Sequence, residues 1–163
     1  MELRASLTYS PSLIRQAVWA FWRRVVGLQF PAALILITIG LVALLRSGDR
    51  SWLVGVVASV LILGTLFMVA LFLVHYRNST QKLRAMGAPQ AELIATHSSL
   101  SLSSGAGTVS LPWSSVSEVW QFPTFWLLLF SKNQFSTLPL ADVSTELRKF
   151  MLQRVGEAGG KIS

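Results

Sequence analysis

The chain contains no cysteine. That excludes a disulfide scaffold, an iron–sulfur centre and a thiolate zinc site. Charge is almost as scarce. Asp, Glu, Lys and Arg make up 13% of the 163 residues, against roughly 25% in ordinary soluble domains. Hydrophobic residues make up 52%. Such a chain has too little charge to cover a conventional soluble enzyme, and it is too apolar to be disordered. Only two histidines occur, His75 and His97, and neither has a second ligand at metal spacing. The formal net charge is +7, but the basic residues are spread along the chain. The excess reads as membrane orientation and not as a nucleic-acid footprint.

What the chain has instead is two long uncharged runs, 25–45 and 52–74. About 20 apolar residues suffice for a helix to cross a hydrocarbon core of ~30 Å. The remaining residues are too few to surround two such helices as a soluble core. The first run is too long for a signal-peptide core, follows a 1–24 lead and is followed at once by the second, so it reads as an uncleaved anchor. Residues 46–51 form a short loop, which makes a hairpin with both chain ends on one side. Arg15, Arg23, Arg24, Arg77, Lys82 and Arg84 flank the spans at that side, with Arg4 further back; Arg46 and Arg50 lie in the loop. The basic bias puts both termini in the cytoplasm.

Inside the spans the sequence is bland. Gln29, Thr38, Ser59 and Thr65 are the most polar groups. Gly55 and Ser59 form a small-residue pair for close helix approach, and Pro31 is expected to kink or offset the first span. Trp19, Trp22, Arg23 and Arg24 precede the first span. Trp52 opens the second, and Tyr76 and Arg77 follow it. These seven are the candidate membrane-interface anchors.

Residues 1–24 read as a strand, with Leu3, Ala5, Leu7 and Tyr9 on one side, followed by an amphipathic interfacial helix. Ser10-Pro11 starts that helix, and Ile14, Ala17, Val18, Phe21 and Val25 recur along it. Residues 75–90 are a juxtamembrane basic linker that stays helical until Gly87-Ala88-Pro89. From 91 to 157 the period changes. Strands are expected at 91–96, around Leu100 and Leu102, around Val109, Leu111 and Trp113, and at 116–122, 125–130 and 135–138. Turns are expected at 105–107 and 132–134. Ser144 then caps a last helix striped by Leu147, Phe150, Met151 and Val155. Residues 158–163 read as a flexible tail. The fold class is therefore membrane α+β: a two-transmembrane-helix hairpin plus a small antiparallel β domain closed by a C-terminal helix. The N-terminal strand is expected to join the same sheet.

Aromatic residues cluster in that domain. Trp113, Trp120, Phe125, Trp126 and Phe130, with Phe122, are expected in its core or on an interaction face. The run FWLLLF is apolar on both faces, so one face should meet the last helix, the membrane surface or a partner. Reactive constellations are missing. The glycines of 103–107 sit in a hairpin and not before a helix N-terminus, and the acids form no pair in an apolar surround. The expectation is a non-enzyme with no cofactor, no metal and no small-molecule substrate.

The stretch LPWSSVSEVWQFPTFWLLLFSKNQFSTLPLADVSTELRKFM resembles the C-terminal domain of the YcxB-like family of small bacterial membrane proteins. Leu111-Pro112-Trp113-Ser114, Ser131-Lys132-Asn133-Gln134 and Leu138-Pro139 carry the resemblance. The opening ASLTYSPSLIRQAVWAFWRR is similar to that family's start. The resemblance implies a multi-pass protein of the bacterial inner (cytoplasmic) membrane, with a cytoplasmic β-rich domain similar to a pleckstrin-homology-like (PH-like) module. It implies no catalytic residues. Leu140-Ala141-Asp142-Val143 replaces the basic and aromatic residues that members often carry after Leu-Pro. Two functions fit. One is a membrane-anchored interaction or scaffold module whose partner, besides the lipid bilayer, is a protein or a second copy. The other is a lipid or envelope-stress sensor. The second needs clustered basic residues, and the domain offers Lys132 among its strands with Arg148, Lys149 and Arg154 on its helix.

Overall fold

The computed structural model describes residues 2–131 and 134–163, so the predicted turn at Lys132-Asn133 lies outside the described residues. The chain divides into two compact units. One comprises residues 1–17 and 78–163, and the other residues 18–77.

Unit 18–77 is helical. Helix α1 (Pro11–Val26) leads into it, and its start is fixed by Ser10, whose hydroxyl accepts the Leu13 N–H at 3.1 Å. Gly27 ends α1 at φ +67, a left-handed conformation that side chains with a Cβ resist. Helix α2 (Gln29–Arg46) starts two residues later. The break therefore sits at Gly27. Pro31 falls in the first turn of α2, where its missing N–H costs nothing, so the expected offset of the first span is made by the glycine. Gly48, at φ +77, terminates α2. Asp49 Oδ1 then accepts the Ser51 N–H at 2.7 Å, which holds its carboxyl below the usual range. Helix α3 (Trp52–Ala85) is one continuous 34-residue helix.

Helices α2 and α3 are both long and apolar enough to cross a membrane, and neither buries a residue within the protein. Their hydroxyls bond back to their own helices. Thr38 donates to the Leu34 carbonyl at 2.7 Å, Ser59 to Gly55 at 2.8 Å and Thr65 to Leu61 at 2.8 Å. The close approach of α2 and α3 is at Gly64, where an added Cβ would come within 2.9 Å of the Leu34 side chain. Gly55 has open space beside it, so the Gly55/Ser59 pair does not make the expected helix contact.

The other unit carries two four-stranded sheets and helix α4 (Thr145–Glu157). The first sheet runs β1 (Leu3–Thr8), β2 (Gln90–Ala95), β3 (Ser99–Ser104), β4 (Gly107–Pro112), every neighbour antiparallel. The N-terminal strand does join this sheet, with Leu3 opposite Ala95 and Thr8 opposite Gln90. The second sheet is ordered β7 (Gln134–Pro139), β6 (Phe125–Ser131), β5 (Glu118–Gln121), β8 (Lys161–Ile162). The single composite meander expected from the alternation is thus two sheets. The division falls at Pro112, which has no N–H to extend a ladder, and the 3-10 turn Trp113–Ser115 follows it.

The tail differs from expectation too. Lys161–Ile162 pairs parallel with β5, and Gln121 N–H donates to the Ser163 carbonyl at 2.8 Å. Gly160 permits this return, since a Cβ there would sit 2.7 Å from the Val116 carbonyl oxygen. A two-residue strand after Gly-Gly has no periodicity to read.

The core of this unit holds Leu7, Leu93, Leu127, Leu128, Leu138, Leu147, Met151 and Val155, each at most 1% exposed. The two sheets are tied at the end of β1. Thr8 N–H donates to Asp142 Oδ2 at 2.8 Å, and the Tyr9 hydroxyl donates to the Thr137 carbonyl at 3.1 Å. Burial pushes the Tyr9 phenol up to about 12.

Two outcomes are expected. Leu7→Ala should cost about 2–5 kcal/mol, the range for a fully buried leucine, measured by reversible unfolding of the full chain in detergent. A loss below about 1 kcal/mol would mean that β1 is peripheral. Second, in a Tyr76→Phe background, tyrosinate absorbance should rise with a midpoint near 12 and not near the ordinary ~10. The folded pKa lies above the unfolded one, so the stabilisation from neutral Tyr9 is complete below pH ~10. It is lost as pH climbs from there through 12. A midpoint near 10 would show an exposed phenol.

Candidate functional site

In unit 18–77 three of the seven candidate anchors, Trp19, Trp22 and Tyr76, assemble with Phe72 into one aromatic cluster. Trp19 and Trp22 are one helical turn apart on α1 and stack at 5.1 Å. Phe72 meets both edge-on, at 6.2 and 6.3 Å. Tyr76, one turn further along α3, stacks on Phe72 at 6.0 Å. Trp22 Nε1 donates to the Met68 carbonyl at 3.2 Å, so the indole satisfies its polar edge while its ring packs. Arg23, Arg24 and Arg77 are exposed beside these aromatics in sequence. Trp52 stands alone at the other end of α3, 80% exposed. Trp52 and Phe72 lie about 30 Å apart along α3 at the ordinary helical rise, the thickness of a hydrocarbon core. Phe72 and Met68 were not singled out from sequence, although their spacing from Tyr76 was the available signal.

The domain aromatics are core residues. Trp113, Trp120, Phe125 and Trp126 are 4–6% exposed, and Leu127, Leu128 and Leu129 between them are equally covered. Both faces of β6 are therefore buried within the protein, and Phe130 is half-buried. Trp113 lies in the 3-10 turn and not at a strand end. Its Nε1 donates to the Thr96 carbonyl at 2.9 Å, and its ring meets Phe150 of α4 edge-on at 6.4 Å.

The charges of this unit are turned to structural use. Arg148 donates through Nε to the Val143 carbonyl at 3.0 Å and through Nη2 to the Leu140 carbonyl. These bonds hold the β7–α4 connection against the first turn of α4, whose Ser144 cap accepts the Leu147 N–H at 3.1 Å. Arg154 lies over the Phe150 ring at 5.5 Å and pairs with Glu157 at 2.9 Å. Arg4 pairs with Glu2 and, across the strands, with Glu92. Asp142 Oδ2 is the acceptor for the Thr8 N–H. Lys149 and Lys161 are exposed.

A groove of about 750 Å³ between α2 and α3 is apolar and lined by Ile37, Gly40, Leu44, Val56 and Val60, among others. A smaller one of about 280 Å³ lies among His97, Ser98, Trp113, Ser114, Arg154 and Glu157. Among the described residues no three His, Asp or Glu side chains gather as a metal site would need.

The sequence model for YcxB-like protein covers residues 99–153, from β3 to the last turn of α4. The resemblance read from Leu111-Pro112-Trp113-Ser114 and Leu138-Pro139 falls inside that range, whereas the N-terminal opening falls outside it. Comparisons with curated proteins and with solved structures returned no match.

Replacing Trp113 by Ala should destabilise the β-rich unit by about 3–5 kcal/mol. Trp113→Phe, which keeps most of the ring but loses the bond to Thr96, should cost about 1–2 kcal/mol. Near-equal losses for the two variants would show that packing against Phe150 contributes little.

Proposed function

We propose that this protein is a two-span integral protein of the bacterial cytoplasmic membrane with both termini in the cytoplasm. It presents a PH-like β module for docking a protein partner or a second copy, and it is not an enzyme. The observation that carries the docking reading is how the cations of the β-rich part are used. Arg148 and Arg154 are held by the unit's own carbonyls, ring and carboxylate. A sensor of anionic headgroups needs Lys and Arg gathered on one outward face, and among the described residues of β1–β8 and α4 only Lys149 and Lys161 are exposed cations outside an ion pair, which makes a weak one. The membrane reading is supported by the uncharged stretches 29–45 of α2 and 52–74 of α3, helices that bury no residue within the protein, and by aromatic residues spaced along α3 as two interfaces would require. The larger cationic count at the chain ends supports the orientation.

Reporter fusions after residue 163 and within 46–51 test the topology. A cytoplasm-active reporter at the end and a periplasm-active one in the loop are expected; the reverse pattern would overturn it. Mild-detergent extraction followed by cross-linking tests the docking role. The protein is expected in a complex with itself or another polypeptide, and a solitary chain that instead floats with anionic vesicles through its β module would favour the sensor.

A further inference from the structure

The four sheet edges are not treated alike. β1 carries Arg4 in ion pairs with Glu2 and Glu92, and its Thr8 N–H is taken by Asp142. The edge strand β7 ends buried at Thr137, Leu138 and Pro139, and its Thr137 carbonyl accepts from Tyr9. β8 is two residues long and includes Lys161. Charge, proline, brevity and cover are the ordinary protections of an edge. β4 has one of them, Pro112 at its last position. It is six residues long, exposed at every residue but Leu111, and no Asp, Glu, Lys or Arg occurs from residue 98 to 117.

The phase of its hydrogen bonds follows from its register. Ser104 faces Gly107, Ser103 faces Thr108, Leu102 faces Val109, Ser101 faces Ser110, and Ser99 faces Pro112. In an antiparallel ladder, bonded and non-bonded pairs alternate. Pro112 has no N–H, so its pair with Ser99 is a non-bonded one, and so are Ser101/Ser110 and Ser103/Thr108. The side chains agree, because non-bonded pairs sit closer and the two hydroxyl pairs touch at 2.8 and 2.7 Å. The N–H and C=O groups of Thr108 and Ser110 therefore point away from β3, along the open edge. Val109 between them is 56% exposed.

We infer that β4 is the self-association edge of this protein, pairing antiparallel with β4 of a second copy across a two-fold axis. This rests on the docking reading above and names the partner as a second copy. The register is set by the groups present. With Val109 opposite Val109 of the second copy, Thr108 faces Ser110 in both directions, and each donates to and accepts from the other. All outward groups of both residues are then satisfied, Gly107 leaves room opposite Leu111, and the exposed valines cover each other as a non-bonded pair. An isologous interface of this kind closes at two copies. Confinement of both copies to one membrane raises their effective concentration in the manner of a short tether, which suits an edge without charge to steer it.

The absence of native cysteine allows a direct test on the full chain in its own membrane. A non-bonded antiparallel pair places its Cα atoms about 4.5 Å apart, inside the ~4.4–6.8 Å range of disulfides. Val109→Cys should form a disulfide-linked dimer under mild oxidation, and Ser6→Cys on β1 should not. In detergent, the parent chain and Ser110→Ala should have twice the chain mass by light scattering. Ser110→Pro, which removes an outward N–H and the same hydroxyl that Ser110→Ala removes but leaves the β3 ladder intact, should have the single-chain mass while still unfolding cooperatively. If Ser110→Pro stays dimeric, or a dimeric Val109→Cys fails to cross-link, association runs through another surface; the inference is wrong and the docking role stands. If the parent is single-chain and Val109→Cys stays unlinked, self-association is excluded. The docking role then fails as well unless a second polypeptide co-purifies.

Discussion

The β-rich unit depends on a pairing between the two ends of a long excursion. β1 lies before the helices and β2 after them, yet Leu3 to Thr8 run in full register against Ala95 to Gln90. Loop closure over so many residues is entropically costly for a flexible chain, though the cost grows only logarithmically. Here most of the intervening chain is rigid helix. The first sheet therefore closes only when the helical excursion brings its ends together. The second sheet depends on the same event, since Tyr9 reaches the Thr137 carbonyl and Asp142 receives the Thr8 N–H. Leu7, 0% exposed, is the apolar counterpart of those polar ties.

That arrangement makes the β-rich unit depend on the helices between its strands. A unit with its own closed sheet could be cut free of α2 and α3; this one loses an edge strand if it is. The unit also uses its own polar groups sparingly. Arg148 ties a connection, Arg154 lies over a ring, and the serines and threonines of β3 and β4 bond one another in pairs. What it leaves outward is one uncharged edge, β4.

Much of this was legible in the sequence. The helices follow from uncharged runs, and the end of α3 from Gly87, at positive φ; the break at Gly27 was not legible, because that glycine lies inside the uncharged run 25–45. The hairpin strands follow from alternation, and the last helix from Ser144. The membership of β1 in the sheet followed from simple geometry, because a helical hairpin returns the chain. The division into two sheets was not legible, since Val109, Leu111 and Trp113 continue one alternation across the break; Pro112 was the only warning. β8 was hidden because its pairing is purely tertiary. The aromatic run of β6 was ambiguous, as two-sided burial and partner exposure look identical in one dimension. Asp142 and Arg148 read as ordinary surface charges, because their acceptors and donors are backbone groups distant in sequence or hidden in a loop.

The central claim is that β1 belongs to the same cooperative unit as the strands it closes. Amide hydrogen exchange on the full chain in a lipid nanodisc measures this directly. The amides of β1 bonded to β2 should exchange with the same opening free energy as those between β2 and β3, and both should fall together in Leu7→Ala. If the β1 amides exchange through an opening about 2 kcal/mol or more easier than the β2–β3 amides, β1 is a detachable strap and the module is closed without it.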